Sequence, residues 1–209
     1  VAEHTILKQA SAANSSIIKI MLERGAAAIG LLLLAPLLLI VAAMVRLDSP
    51  GPILFRQERR GMGGETFPIY KFRTMSAAAS RETFRQAVAG DARVTRLGRF
   101  LRATSIDELP QLLNVLKGDM ALIGPRPHPL ALDEVFCNSV PNYLDRYLVR
   151  PGITGLAQVS GHRGPTPDVA AMSARVALDL GYIENWSLKA DLIVLFRTIK
   201  LLFLVRDGT

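Results

Sequence analysis

The sequence predicts a mostly α-helical protein with one small β-hairpin, an α+β arrangement that carries a membrane segment near its start. Three observations lead there. Residues 25–45, GAAAIGLLLLAPLLLIVAAMV, form a run of 21 positions without a charge between Arg24 and Arg46. Stretches of strand character flank Gly61-Met62-Gly63-Gly64, the pattern of a hairpin. Trp186–Val205 repeats apolar residues at helical spacing.

As a helix, the uncharged run would measure about 31 Å, close to the hydrocarbon thickness of a bilayer. A secretory signal peptide fits less well, because the run starts 25 residues in and Arg46-Leu47-Asp48 follows without a cleavage site. Pro36, near the middle, removes one backbone hydrogen bond and favours a kink. Lys8, Lys19 and Arg24 precede the run, and Arg46, Arg56, Arg59 and Arg60 follow it. A hairpin that enters one leaflet and returns keeps both basic flanks on the cytoplasmic side; a straight span keeps only one. Kinked spanning helices are the commoner form in general, so the two arrangements stand even on these features.

Strand character is expected at Ile53–Gln57 and Thr66–Arg73, and helices at Arg81–Ala89 and Leu109–Lys117, the second stopped by Gly118. Pro125, Pro127, Pro129, Pro151, Pro165 and Pro167 forbid long regular elements through the loop-rich stretch 121–168. In the last helix Leu188, Leu192, Leu195, Phe196, Ile199, Leu202 and Phe203 share one side, with Lys189, Arg197 and Lys200 opposite. Such a helix either faces a core or lies in a membrane interface.

Composition narrows the function. At 209 residues the chain makes one domain or at most two, and with 50% hydrophobic residues and a mean hydropathy of +0.27 it is too apolar for a disordered tail protein. The single cysteine, Cys137, excludes an internal disulfide framework and fits a reducing compartment. Three histidines and no HExxH or CxxC spacing argue against a zinc site, and His128, His162 and Cys137 are given no role. Of the net charge of +7, all the excess sits in residues 46–102, which carry twelve basic and five acidic side chains. Such a stretch after a membrane segment holds either anionic headgroups or a phosphorylated substrate. It lacks the aromatic interleaving of a nucleic-acid binder beyond Tyr70 and Phe72, so no nucleic-acid partner is expected.

The chemistry concentrates in Thr104-Ser105-Ile106-Asp107-Glu108-Leu109-Pro110. Taken alone, Asp107 caps a helix and Glu108 complements its dipole. The same residues could instead provide a carboxylate nucleophile for phosphorus and a Mg²⁺ ligand, since Mg²⁺ takes one or two carboxylates plus substrate phosphates. Gly124-Pro125-Arg126-Pro127 fixes one guanidinium in a rigid loop, suited to bidentate phosphate binding. Lys71 and Arg73, two apart, would share a strand face. Arg150-Pro151-Gly152-Ile153-Thr154-Gly155 is another constrained loop with one cation.

The string of Lys71-Phe72-Arg73-Thr74-Met75, then Ser105 through Met120, then Gly124-Pro125-Arg126-Pro127 and Arg150 through Gly155 closely resembles the bacterial sugar transferases, the monotopic phosphoglycosyl transferases. The match runs from about Ile20 to about Phe203 with four motifs in order. The resemblance implies transfer of a hexose-1-phosphate, galactose or glucose, from a UDP-sugar donor to undecaprenyl phosphate at the cytoplasmic face of the bacterial inner membrane, with Mg²⁺, to start exopolysaccharide or other glycan synthesis. It implies a re-entrant membrane helix hairpin broken at Pro36, preceded here by Ala35 where relatives commonly have Ser, and amphipathic interfacial helices. The chain then divides into an N-terminal cytoplasmic or interfacial segment, 1–24, the re-entrant helix, 25–45, and a compact cytoplasmic catalytic domain, 46–209.

Carried over residue by residue, the resemblance makes Asp107 the nucleophile of a covalent phosphosugar intermediate, and Glu108 both the Mg²⁺ ligand and a catalytic group that helps deprotonate the acceptor phosphate. Lys71, Arg73, Arg102 and Arg126 become phosphate binders, Arg150 a residue on the nucleotide side, and Asp191 a residue near the site. Gly161-His162-Arg163-Gly164 is similar to the small exopolysaccharide initiators, although Pro165-Thr166-Pro167-Asp168 departs from their usual continuation. Membrane lipids are expected partners; a homodimer suits an enzyme of this size, although nothing in the sequence demands one. The alternative from a different class is a non-catalytic membrane-surface adaptor that binds anionic lipid or polymer.

Overall fold

A computed structural model describes residues 2–76, 86 and 90–204. The helix expected at Arg81–Ala89 lies outside the described residues, as do the side chains of Leu202 and Phe203. Helix α1 (Ala2–Ser15) leads into α2 (Ile17–Asp48), whose first turn is capped by the Ser16 hydroxyl accepting from Lys19 N. Helix α2 has 32 residues, about 48 Å of rise. It begins eight residues before the uncharged run and continues as one helix through Pro36, even though that residue has no N–H to donate.

Both halves of α2 rest on the same folded unit. Ala27 packs with Phe67, Ile69, Val115 and Met120, and Val41 and Val45 pack with Phe72 and Leu101. Between them Leu32, Leu33, Leu39 and Ile40 stay exposed. The start of α2 is tied down by a buried knot: Lys19 Nζ lies 2.8 Å from Asp191 Oδ2 and 2.8 Å from Glu23 Oε1. Asp191 also accepts from the Tyr182 hydroxyl and the Trp186 indole.

The expected hairpin is present as β1 (Leu54–Arg60) and β2 (Thr66–Phe72), antiparallel, pairing Leu54 with Phe72 and Arg60 with Thr66. Beyond it come α3 (Arg96–Thr104), a 3-10 turn (Ile106–Gln111) and α4 (Leu112–Lys117). The single helix expected over Leu109–Lys117 is therefore a 3-10 turn running into a short α-helix. Gly118, at φ 95°, ends it in the left-handed conformation that favours glycine. Asn114, with no exposed surface, locks α4 to the free edge of β2: its Nδ2 donates to Pro68 O at 2.8 Å, and its Oδ1 accepts from Tyr70 N at 3.1 Å.

The proline-rich stretch contains a second, parallel pair that periodicity did not signal: β3 (Ala121–Ile123) with β4 (Gly152–Thr154). Here two glycine loops cross backbone to backbone. A Cβ on Gly152 would sit 2.1 Å from Gly124 N, and one on Gly124 would sit 2.5 Å from Arg150 O. No side chain fits at that crossing, which holds Gly124-Pro125-Arg126 against Pro151-Gly152. Helices α5 (Leu130–Phe136), α6 (Leu156–Val159), α7 (Val169–Glu184) and α8 (Leu188–Leu204) complete the chain. In α8 Asp191 and Val194 face inward, while Leu192, Ile193, Phe196 and Ile199 are exposed. The apolar side of that helix is thus not a core face.

Asn114→Ala leaves two edge groups of β2 without partners and opens a small cavity. It is expected to destabilise the protein by about 2–4 kcal/mol, read as a lower urea midpoint in detergent or nanodiscs.

Candidate active site

Helix α3 ends at Ser105, which adopts φ 59°, and this left-handed residue turns the chain straight into the 3-10 turn. The turn carries Asp107 and Glu108 into a cleft of about 650 Å³, a size suited to a ligand such as a sugar nucleotide. Asp107 lies inside the turn and is not its cap, so the structural role available to it in sequence is not the one it has. Among the described residues the cleft is lined by eight basic side chains, including Arg59, Lys71, Arg102, Arg126 and Arg175, against two carboxylates.

The two carboxylates have opposite surroundings. Glu108 Oε1 accepts from Lys71 Nζ at 2.6 Å and from Arg126 Nη2, and its Oε2 accepts from Arg126 Nη1 at 3.1 Å. Burial alone would raise the Glu108 carboxyl; the charges of Arg126 and then Lys71 outweigh it and hold the group well below the usual carboxylate range. Asp107, 8% exposed, makes no hydrogen bond or ion pair among the described residues. Burial, with the charge of Glu108 adding to it, pushes its carboxyl up to about 6. The pair therefore holds one neutralised carboxylate and one directed at the cleft with no protein group bonded to it.

Arg102 Nε donates to Thr74 Oγ1 at 2.8 Å and faces the cleft close enough to lower Asp107. Lys71 and Arg126 are brought together as the sequence suggested, but on Glu108. Arg73 is not. Strand β2 stops at Phe72, so the alternation that would pair Arg73 with Lys71 ends one residue early. The Arg73 side chain, 5% exposed, also lines the cleft, but its guanidinium donates to Val45 O, Ser49 O and Pro52 O and so caps the C-terminus of α2. Arg150 also departs from expectation. Its guanidinium donates to Asn14 O at the end of α1, beside Leu7 and Met62, away from the cleft. Asp191 lies in the knot with Lys19 and not beside Asp107.

Three cleft residues carried no sequence signal. Arg59 donates to Pro127 O and Gln57 Oε1; His128 is buried and held well below its usual range by burial and by Arg146 and Arg175. Arg175 sits in α7, one turn before Asp179 on the same helix. For the metal, no group of three histidine, cysteine or acidic residues exists among the described residues, so a cage made by protein alone is absent. A Mg²⁺ ion still fits, because Glu108 Oε2 has a single partner and the ion draws most of its ligands from phosphates and water.

Fold and site together define a protein with a membrane-length apolar helix packed on the strand that lines a cation-rich cleft holding a carboxylate pair. The family model described as bacterial sugar transferase matches residues 14–205, and the chain belongs to that family of phosphoglycosyl transferases. A UDP-glucose:undecaprenyl-phosphate glucose-1-phosphate transferase of Caulobacter vibrioides is 54% identical over 181 residues, 87% of this chain and 68% of that protein. An Escherichia coli protein of the same name is 46% identical over 169 residues, 81% of this chain, but the chain spans only 36% of its length. An exopolysaccharide production protein of Rhizobium leguminosarum is 46% identical over 173 residues, covering 81% of this chain and 86% of that one.

Arg126→Lys keeps the charge but loses the two-pronged contact with Glu108 and is expected to lower turnover by about 10–100-fold. Arg150→Ala, remote from the cleft, is expected to stay within about twofold of wild type. UMP release assayed under identical conditions checks both.

Proposed function

We propose that the chain transfers hexose-1-phosphate from a UDP-hexose to undecaprenyl phosphate in two steps through Asp107. One observation carries this reading: a buried carboxylate without a protein partner, next to a fully neutralised one, in a cleft where, among the described residues, cations outnumber carboxylates four to one. In the first step an Asp107 carboxylate oxygen attacks the sugar-bearing phosphorus of the donor. A P–O bond to Asp107 forms, the bridging P–O bond breaks with its electrons, and UMP leaves. In the second step a phosphate oxygen of the lipid attacks the same phosphorus and restores the free Asp107 carboxylate. The names of the relatives favour glucose over galactose as the hexose.

Lys71, Arg102 and Arg126 orient the diphosphate and offset its charge; the Glu108 grip keeps Lys71 and Arg126 at the site before substrate arrives. Glu108 would hold Mg²⁺, which when bound supplies neutralising charge for the donor phosphates. The lipid acceptor explains why the strand that lines the site packs on α2. We read α2 as dipping into one leaflet from the cytoplasmic face and returning. Both of its halves contact the same domain, its exposed middle is apolar, and basic residues flank each end of the uncharged run. The exposed apolar side of α8 fits the same interface. Initiation of an exopolysaccharide is the role that the Rhizobium relative's name favours.

The test is incubation of purified protein with Mg²⁺ and radiolabelled UDP-glucose or UDP-galactose, without lipid. Label is expected to stay on wild-type protein through a denaturing gel. Asp107→Asn is expected to lose it, with turnover down by at least about a thousandfold. UMP release only after lipid is added, with no labelled protein, would remove the covalent step; activity that survives EDTA would remove the metal. For topology, Ser15→Cys and Ser49→Cys, each in a Cys137→Ser background, are expected to react with an impermeant maleimide from the cytoplasmic side of inverted vesicles. Reaction from opposite sides would mean a spanning helix.

A further inference from the structure

The lining of the cleft comes both from residues that pack on α2 and from residues carried by elements that do not. In the first set Phe72 packs on Val41 and Val45 of α2, and Arg73 caps the end of the same helix. In the second set stand His128, Pro129, Leu132, Gly164 and Arg175, carried by α5, α7 and the loops before them. The apolar cluster behind this second set, including Leu132, Phe136, Met172 and Val176, holds no residue of α2.

Arg175 is a costly residue in that position unless something binds it. It is 5% exposed, yet it lines the cleft. Its Nη2 donates to Gly164 O at 2.6 Å, its Nη1 lies 3.5 Å from His128 Nε2, and its Nε has no partner. The two nearby carboxylates are taken: Asp133 by Arg60, Tyr143 and Tyr147, and Asp179 by Arg146. No carboxylate lies within ion-pair distance of Arg175 among the described residues. His128 cannot help, because burial and its cationic neighbours keep it neutral. Burial and the repulsion of Arg146 lower the Arg175 guanidinium to about 10, so the site strains against its own cation. Asp179 acts on it only from beyond ion-pair distance; a buried charge without a direct partner is destabilising, and an anionic ligand offsets that penalty.

We propose that Arg175 binds the nucleotide half of the donor, the UMP moiety that leaves in the first step, on the part of the lining that does not pack on the membrane helix. The proposal rests on the two-step transfer described above. It divides the cleft by chemistry: the lipid acceptor comes from the α2 side, the nucleotide occupies the Arg175 side, and the phosphorus that changes partners lies at Asp107. Charge on the departing UMP phosphate grows as the bridging bond breaks, and a desolvated guanidinium is well suited to receive it. The single hydrogen bond to Gly164 O also makes the loop 160–168 part of the nucleotide side.

The test compares wild type, Arg175→Gln and Arg175→Lys as full-length chains in nanodiscs. UMP affinity is measured by calorimetry, which needs neither lipid acceptor nor knowledge of the sugar. Arg175→Gln is expected to bind UMP at least about tenfold more weakly and to raise the KM for UDP-sugar by a similar factor. The KM for undecaprenyl phosphate is expected to stay unchanged. Arg175→Lys, which keeps the charge, is expected to recover part of both losses at an unchanged melting temperature. Equal UMP affinity in all three proteins overturns the proposal, as does a rise in acceptor KM. A raised donor KM with unaltered UMP affinity also overturns it, because the contact would then be to the sugar. Absence of any labelled intermediate in wild type would instead refute the two-step reading itself, whatever the UMP result.

Discussion

The grip of Lys71 and Arg126 on Glu108 is the contact on which the site depends. It joins three pieces far apart in sequence: strand β2, the 3-10 turn after α3, and the glycine-proline loop after β3. Alone, the buried Glu108 carboxylate would be unstable as an anion, and the two cations would repel each other. Together they form a compact unit with one net positive charge. The neighbouring Asp107 is left as the carboxylate with no protein bond, and that asymmetry lets two adjacent acids take different parts in one reaction.

Strand β2 links this unit to the apolar helix. Phe72 sits under Val41 and Val45, and Arg73 holds the last carbonyls of α2. One residue earlier, Lys71 reaches Glu108, and one residue later, Thr74 accepts from Arg102. Of four consecutive residues the inner two thus anchor the helix and the outer two arrange the cations. A displacement at the end of α2 has a short covalent route to the carboxylate pair.

How much of this was legible depends on the length scale of each signal. The apolar helix and the hairpin carry many residues each, so their patterns were plain, and the Asp107-Glu108 pair with Lys71, Arg102 and Arg126 stood out in constrained or charged stretches. Strands β3 and β4 have three residues apiece, too few for any period, and are held by a glycine crossing visible only in three dimensions. Arg73 lines the cleft with Lys71, but spacing along a strand does not show where the strand stops, nor that this guanidinium is spent on the end of α2. Arg150 was misread because a rigid loop fixes a side chain without saying what it faces, and here it faces α1. Arg175 was silent because a charged residue among apolar ones in a helix reads as a surface position, whereas the chain folds Gly164 and His128 over it.

The crossing of Gly124 with Gly152 also governs when the protein becomes competent during synthesis. Helix α2 precedes both loops in the chain and is long and apolar enough to cross a membrane. The loop that carries Arg126, made later, has no fixed place until the backbone of residues 150–155 arrives to lie against it. Arg126 can therefore settle on Glu108 only after residues far beyond both the apolar helix and the carboxylate pair have been made.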